Sequence, residues 1–241
     1  MDQSRNFKSE FLRTFTILSY SHNKYNVWQD FIFASACSFS NAVDKFHFAE
    51  REKEYLQRIH KYDKKEQQLF PKLLSQVVME FDKNTDQDLL GDLFMDLNFG
   101  DACKGQFFTP YHVCKLMSEI TLGDVVSEVK DKGYISIHDC ACGAGATLIA
   151  AVNDAKEKLA KAGINYQNHI FVTAQDIDQT VALMCYIQLS LLGVAGFVKI
   201  GDSLANPMST DDGGKNYWYM PMYFSRPWQM RKLIKQLKGE K

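Results

Sequence analysis

Residues 138 to 151 read HDCACGAGATLIAA, with one residue between Cys140 and Cys142 and one between Gly143 and Gly145. Three kinds of chemistry use such a stretch. A zinc site needs four close ligands, and these cysteines have neither a CxxC partner nor a Cys/His cluster to complete the set, so no metal is expected. They read as small residues buried beside a turn. A phosphate-cradling loop ends in Gly-Lys-Ser/Thr, and GAGATLIA does not. A dinucleotide turn follows G-x-G-x-x-G, with an acidic residue about 20 positions further on. Here Leu148 takes the third glycine position, and Asp176 lies 33 positions after Gly143.

Carboxylates recur at the ends of three apolar, β-branched runs: Asp139 after YISIH, Asp176 after HIFVTAQ and Asp202 after FVKIG. Ligands of open parallel sheets bind outside the carboxyl ends of the strands, so these side chains are expected to line one crevice. Each alone could equally be a helix cap or turn residue. Taken with close backbone approach at Gly143 and Gly145, they suit S-adenosylmethionine. Asp176 would accept from both ribose hydroxyls, Ile177 would pack on one adenine face, and Asp202 would accept from the adenine amine.

Alternating elements must position these residues. Strands are predicted over 134–139, 169–176 and 197–202, with helices over 146–163, ended by Gly163, and over roughly 179–192. The alternation indicates an α/β class with a parallel sheet and right-handed crossovers. The first hundred residues read as helices, since KLLSQVVMEF and DLLGDLFMDL space apolar residues by three and four. Residues 50–68 are predicted to form a solvated helix with a thin stripe of Tyr55, Leu56, Ile59 and Tyr62. The expected division is a helical domain over 1–104 and an α/β domain over 105–241.

The 241 residues can bury a sizeable core, and 28 basic against 29 acidic residues require any nucleic-acid surface to be local. The C-terminal end is the basic exception: Arg226, Arg231, Lys232, Lys235, Lys238 and Lys241 face only Glu240. It reads as a solvated helix face, with phosphate contact as the sharper alternative. The cysteines, Cys37, Cys103, Cys114, Cys140, Cys142 and Cys185, read as reduced thiols of a cytoplasmic protein. MDQSRNFKSEF carries charge from the start, unlike a signal peptide. No membrane span is expected, because even the run from Val181 to Val194 is interrupted by Gln188 and Ser190.

Four segments in order, KGQFFTPYHVCKLMSEI (104–120), DCACGAGATLIAA (139–151), AQDIDQTVALMCYIQLSLLGV (174–194) and GDSL (201–204), carry a resemblance over roughly residues 86 to 204. They resemble the modification subunits of type I restriction systems and related phage N6-adenine DNA methyltransferases. The resemblance implies a helical N-terminal region followed by a Rossmann-like S-adenosylmethionine methyltransferase parallel sheet, incomplete at the C-terminus here. It implies double-stranded DNA as substrate, and a specificity subunit or a second copy of the chain as partner. It assigns Phe108 and Thr109 to the methionine part of the cofactor, Asp139, Gly143 and Gly145 to the glycine turn, Asp176 to the ribose and Asp202 to the adenine. Locally, Thr109 before Pro110 reads as an N-cap with proline at the first helical position, which could also be its whole role.

Members of that family carry an Asn/Asp-Pro-Pro-aromatic motif, whose acceptors hold the hydrogens of the flipped adenine's amine while the ring stacks on the base. No such tetrapeptide occurs here. The nearest string, ANPMS (205–209), follows GDSL with no strand between. A fourth strand is expected in NYWYMPMYF (216–224), which would put Tyr219-Met220-Pro221-Met222 where the motif belongs. Its aromatics could stack on a base or fill a sheet core. Two functions follow: an S-adenosylmethionine-dependent DNA adenine N6-methyltransferase, or a catalytically inactive homologue that binds cofactor or DNA as a partner subunit. A third, purely structural role would keep the fold and lose the ligand. No catalytic residue is assigned.

Overall fold

The computed structural model describes residues 3–102, 108–208, 213–214 and 216–237. Cys103, residues 104–107 of the KGQFFTP segment, Ser209, Lys238, Glu240 and Lys241 therefore lie outside the described residues. The chain begins with helices α1 (Gln3–Leu18), α2 (Lys24–Val43), α3 (Phe48–Ile59), α4 (Lys64–Gln67), α5 (Leu69–Lys83), α6 (Leu89–Asp96) and α7 (Phe99–Ala102). Aromatic residues at helical spacing bring them together: Phe11, Phe15, Trp28, Phe31 and Phe94 are all buried. Their rings meet mostly edge to face, as between Phe15 and Trp28 with centroids 6.0 Å apart.

Residues 50–68 are not one solvated helix. The chain breaks after Ile59, and Asp63 caps α4 by accepting from the Lys65 and Glu66 amides while Glu66 accepts from the Asp63 amide. That reciprocal box starts a new helix, and it lets Ile59 and Tyr62 turn inward. Arg51, read as part of a solvated face, is also buried.

The second part runs α8 (Tyr111–Thr121), α9 (Val125–Lys132), β1 (Ile135–Asp139), α10 (Ala146–Lys161), β2 (Ile170–Asp176), α11 (Gln179–Leu191), β3 (Ala195–Ile200), β4 (Tyr217–Tyr219) and α12 (Arg226–Leu237). The sheet order is β1-β2-β3-β4. The first three strands are parallel, with Ile135 beside Ile170 and Phe171 beside Ala195. The fourth runs antiparallel to β3, with Phe197 beside Tyr219 and Lys199 beside Tyr217. The expected parallel sheet is therefore a mixed one. Two further expectations need correction. β3 ends at Ile200, two residues before Asp202. Helix α8 begins at Tyr111 after Pro110, whose ψ of 134° makes Pro110 rather than Thr109 the capping residue, with no side-chain cap bond.

Burial along β2 alternates, as the pleat requires: Ile170, Val172 and Ala174 are fully buried, while Phe171 and Thr173 are partly exposed. The buried face packs in one continuous core with α10, α11 and the N-terminal helices. The other face carries α12 at Phe171, whose ring lies 5.2 Å from that of Trp228. β4 is bound to the helical region by Arg51, which donates to the Tyr217 carbonyl at 2.7 Å and to Asp44 at 2.9 Å, and lies over the Trp218 ring.

Candidate functional site

The chain leaves β1 in a turn fixed by its own polar groups. Asp139 accepts from the Ala141 amide at 3.0 Å and from the Thr147 hydroxyl at 2.6 Å, so it joins the strand end to the first turn of α10. The Cys142 amide donates to the Gln175 carbonyl at 2.9 Å, which holds the turn against β2. Asp176 completes the arrangement. One of its oxygens accepts from the Gly143 amide at 2.8 Å and the other from the Asp178 amide at 2.9 Å. Burial pushes the Asp176 carboxyl up from its ordinary range, and those two N–H groups oppose the shift.

Gly143 and Gly145 differ in role. Both have positive φ, 53° and 97°, a region that favours glycine. A Cβ at Gly143 would meet only the Phe108 ring, at 3.5 Å, whereas one at Gly145 would lie 2.8 Å from the Cys185 sulfur. Gly145 therefore serves the packing of the turn on α11, while Gly143 keeps the turn's outer surface open. Of the two nearby cysteines, only Cys142 is buried, with its thiol against Cys185, and Cys140 is exposed.

Beside the turn lies a cavity of about 130 Å³, bounded by Phe108, Thr109, Asp139, Gly143, Thr147 and Asp88. The fold thus gathers four of the sequence-derived site residues, Phe108, Thr109, Asp139 and Gly143, around one space. Asp176 reaches it through its bond to Gly143. Ile177 and Asp202 are at the same end of the sheet, since the Gly201 amide donates to the Asp176 carbonyl at 2.8 Å, but both are exposed and outside the cavity. The Asp202 carboxylate accepts from the Leu204 and Ala205 amides, at 2.8 and 3.2 Å. The expected single crevice lined by three carboxylates is an Asp139 cavity with Asp176 behind the turn and Asp202 on the open rim.

Sequence reasoning missed Asp88. It caps α6, is almost wholly buried, and accepts from the Gly91 amide at 3.1 Å and the Gln188 amide at 2.8 Å. Burial pushes its carboxyl up to about 6. Gln188 also donates to the Ala144 carbonyl at 2.9 Å, so the helical region grips the turn through this pair. One signal was present: a lone Gln inside the apolar stretch VALMCYIQLSLL requires a buried polar partner.

The family model for N-6 DNA methylases matches residues 85–239, which includes the cavity, the glycine turn and the strands β1 to β4. The chain belongs to the N-6 DNA methylase family. No curated protein and no solved structure matched it. Among the described residues of this N-6 DNA methylase, no helix is long and apolar enough to cross a membrane, and no cluster of three His, Cys, Asp or Glu residues could hold a metal.

The two substitutes for the family's amine-holding motif sit differently from the expectation. β4 runs away from the glycine turn, and the Met220 amide donates to the carbonyl of Gly196, near the start of β3. Tyr219-Met220-Pro221-Met222 is thus at the opposite end of the sheet from the cavity. Asn206 and Pro207 are nearer, and each already accepts one bond from Lys199. The ammonium of the buried Lys199 donates to the Asn206 side-chain oxygen and to the Pro207 carbonyl, both at 3.0 Å.

Proposed function

We propose that this chain is an S-adenosylmethionine-dependent DNA adenine N6-methyltransferase of the restriction-modification type, acting on double-stranded DNA with a specificity subunit or a second copy of itself. The observation that carries this reading is the clasp between Asp176 and the Gly143 amide, which fixes an open glycine turn beside a cavity bearing two carboxylates. The donor set suits the cofactor. Asp88 and Asp139 face the cavity with the sign that a sulfonium and an ammonium require, and Gly143 leaves space that a Cβ would narrow. The cavity is well below the roughly 300–1,000 Å³ that encloses a whole ligand, so it would take the methionine half only.

When bound, S-adenosylmethionine supplies a methyl group activated by its positive sulfur. Phe108, Thr109, Asp139 and Gly143 would orient that half. Asp176 has two of its roughly four acceptor positions engaged, which leaves the others for the ribose hydroxyls. Ile177 would cover one adenine face and Asp202 would accept from the adenine amine. The acceptors for the target adenine's amine would come from the partner. Calorimetric titration with S-adenosylmethionine tests the reading: micromolar binding that Asp176→Ala abolishes supports it, and no binding defeats it.

Lys199 favours a second reading. Its ammonium already donates to the two acceptors that most resemble an amine-holding pair and would compete with a target amine there, as expected of a catalytically inactive homologue that binds cofactor or DNA as a partner subunit. Incubation with labelled cofactor and mixed genomic DNA separates the two: incorporation into adenine requires the enzyme, and cofactor binding without incorporation favours the homologue.

A further inference from the structure

Helix α12 crosses the less buried face of the sheet and leaves a cavity of about 230 Å³ beneath it. Phe171, Phe197, Tyr223 and Trp228 form its walls and Tyr134 stands at its edge, while Arg231, Lys232 and Lys235 supply its polar groups. Among the described residues, no acidic residue lines it and none of the three cations has a carboxylate within salt-bridge distance. They rest on rings and neutral oxygens instead. Lys232 lies over the Tyr223 ring, Lys235 donates to the Tyr134 hydroxyl at 2.7 Å, and Arg231 donates to the Gly133 and Asn168 carbonyls.

Trp228 is buried and donates to the Gln167 carbonyl at 2.8 Å, and Arg231 is fixed on two carbonyls, so both help to dock α12. Lys232 adds a bond to the Tyr223 carbonyl at 3.4 Å, and Lys235 is exposed. Lys232 is half-buried with no counter-charge among the described residues, and burial pulls its ammonium down to about 8, a cost that an incoming anion would remove. Rings beside uncompensated cations favour a flat aromatic body carrying a negative group, the combination by which proteins hold unpaired nucleotides. The volume admits one ring system.

We propose that the cavity between α12 and the sheet binds a nucleotide unit, its base against Phe171, Phe197 and Trp228 and its phosphate on Lys232 and Lys235, either free or as one residue of a single strand. The site lies near the start of the strands: Phe171 is five residues before Asp176, or about 16 Å along β2. It is therefore separate from the glycine turn and does not depend on the methyltransferase reading.

The test uses the full chain with two probes, thymidine 5′-monophosphate by calorimetry and a labelled oligothymidylate of about 12 residues by fluorescence polarisation. Binding of at least one probe should weaken tenfold or more in Lys232→Ala/Lys235→Ala. The slope of log affinity against log salt for the strand should fall by about one to two. Lys235→Glu alone, at an exposed position, should show the same direction, and thermal melting checks that the variants fold. A strand bound far more tightly than the monophosphate assigns the site to single strands, and similar affinities assign it to free nucleotides. The proposal is overturned if neither probe binds at millimolar concentration, if the variants bind as the parent does, or if a duplex of the same length binds as well as the strand.

Discussion

The Gly143 amide donates to the Asp176 carboxylate at 2.8 Å, so the last residue of β2 and the turn after β1, 33 positions apart, form one unit. Asp176→Asn keeps one carbonyl oxygen for the two amides that now have two. The unmatched N–H should cost about 1–3 kcal/mol, read by urea unfolding. Loss of the charged acceptor should also weaken S-adenosylmethionine at least tenfold, since a bond to a charged group contributes about 1.5–3 kcal/mol. Unchanged affinity in the folded variant would remove Asp176 from the cofactor site.

The two glycines should separate stability from binding. Gly145→Ala places a Cβ against the Cys185 sulfur at positive φ and should destabilise by about 2–4 kcal/mol. Gly143→Ala meets only the edge of Phe108 and should cost about 1 kcal/mol while lowering cofactor affinity more than Gly145→Ala does in whatever fraction stays folded. Equal losses of stability would contradict the assignment.

Asp88 should give the fold a pH dependence of definite sign. Its carboxyl is raised to about 6 from 3.8, so the folded state holds the proton more tightly than the unfolded chain. The stabilisation is complete below about pH 4 and is lost as pH rises through 6. Its full size is about 3 kcal/mol, because each tenfold difference in proton affinity between the folded and unfolded states is worth roughly 1.4 kcal/mol. Asp88→Asn keeps the acceptor for Gln188 and Gly91 but cannot titrate. Melting temperatures at pH 5 and 7 should therefore differ less between the two conditions in the variant than in the parent, in the direction of higher parent stability at pH 5. Identical pH profiles would show that Asp88 does not titrate in this range.

Arg51 links the helical region to β4 through Tyr217 and shares the buried Asp44 carboxylate with His47. Arg51→Ala leaves that carboxylate without its permanent cation and should destabilise by about 3–5 kcal/mol. Asp44→Asn with Arg51→Met should recover part of the loss, because the variant pair buries no charge. A single variant as stable as the parent would mean that the bridge contributes nothing to folding.

What the sequence determined by itself was local. The three apolar runs, the glycine turn and the helical spacing of the first hundred residues each depend on periodicity within some ten residues, and the strands β1 and β2 end at Asp139 and Asp176 as read. What tertiary structure decided depends on contacts far apart in the chain. Tyr217–Tyr219 is strand-forming in any register, but its antiparallel place on β3 goes with the docking of Trp218 beside Phe33 and Arg51. That pairing carries Met220 and Pro221 away from the cavity. The burial of Asp88 and Arg51 was likewise hidden, because a charged residue in a polar stretch looks solvated until a partner from another element, Gln188 or the Tyr217 carbonyl, covers it. Lys199 reads as an ordinary strand cation, and its place on Asn206 and Pro207 follows from the path of the chain after β3. Hydrophobic pattern fixes elements because each residue's neighbours are set by the helix or strand repeat, whereas polar partnerships between elements are set only when the core has closed.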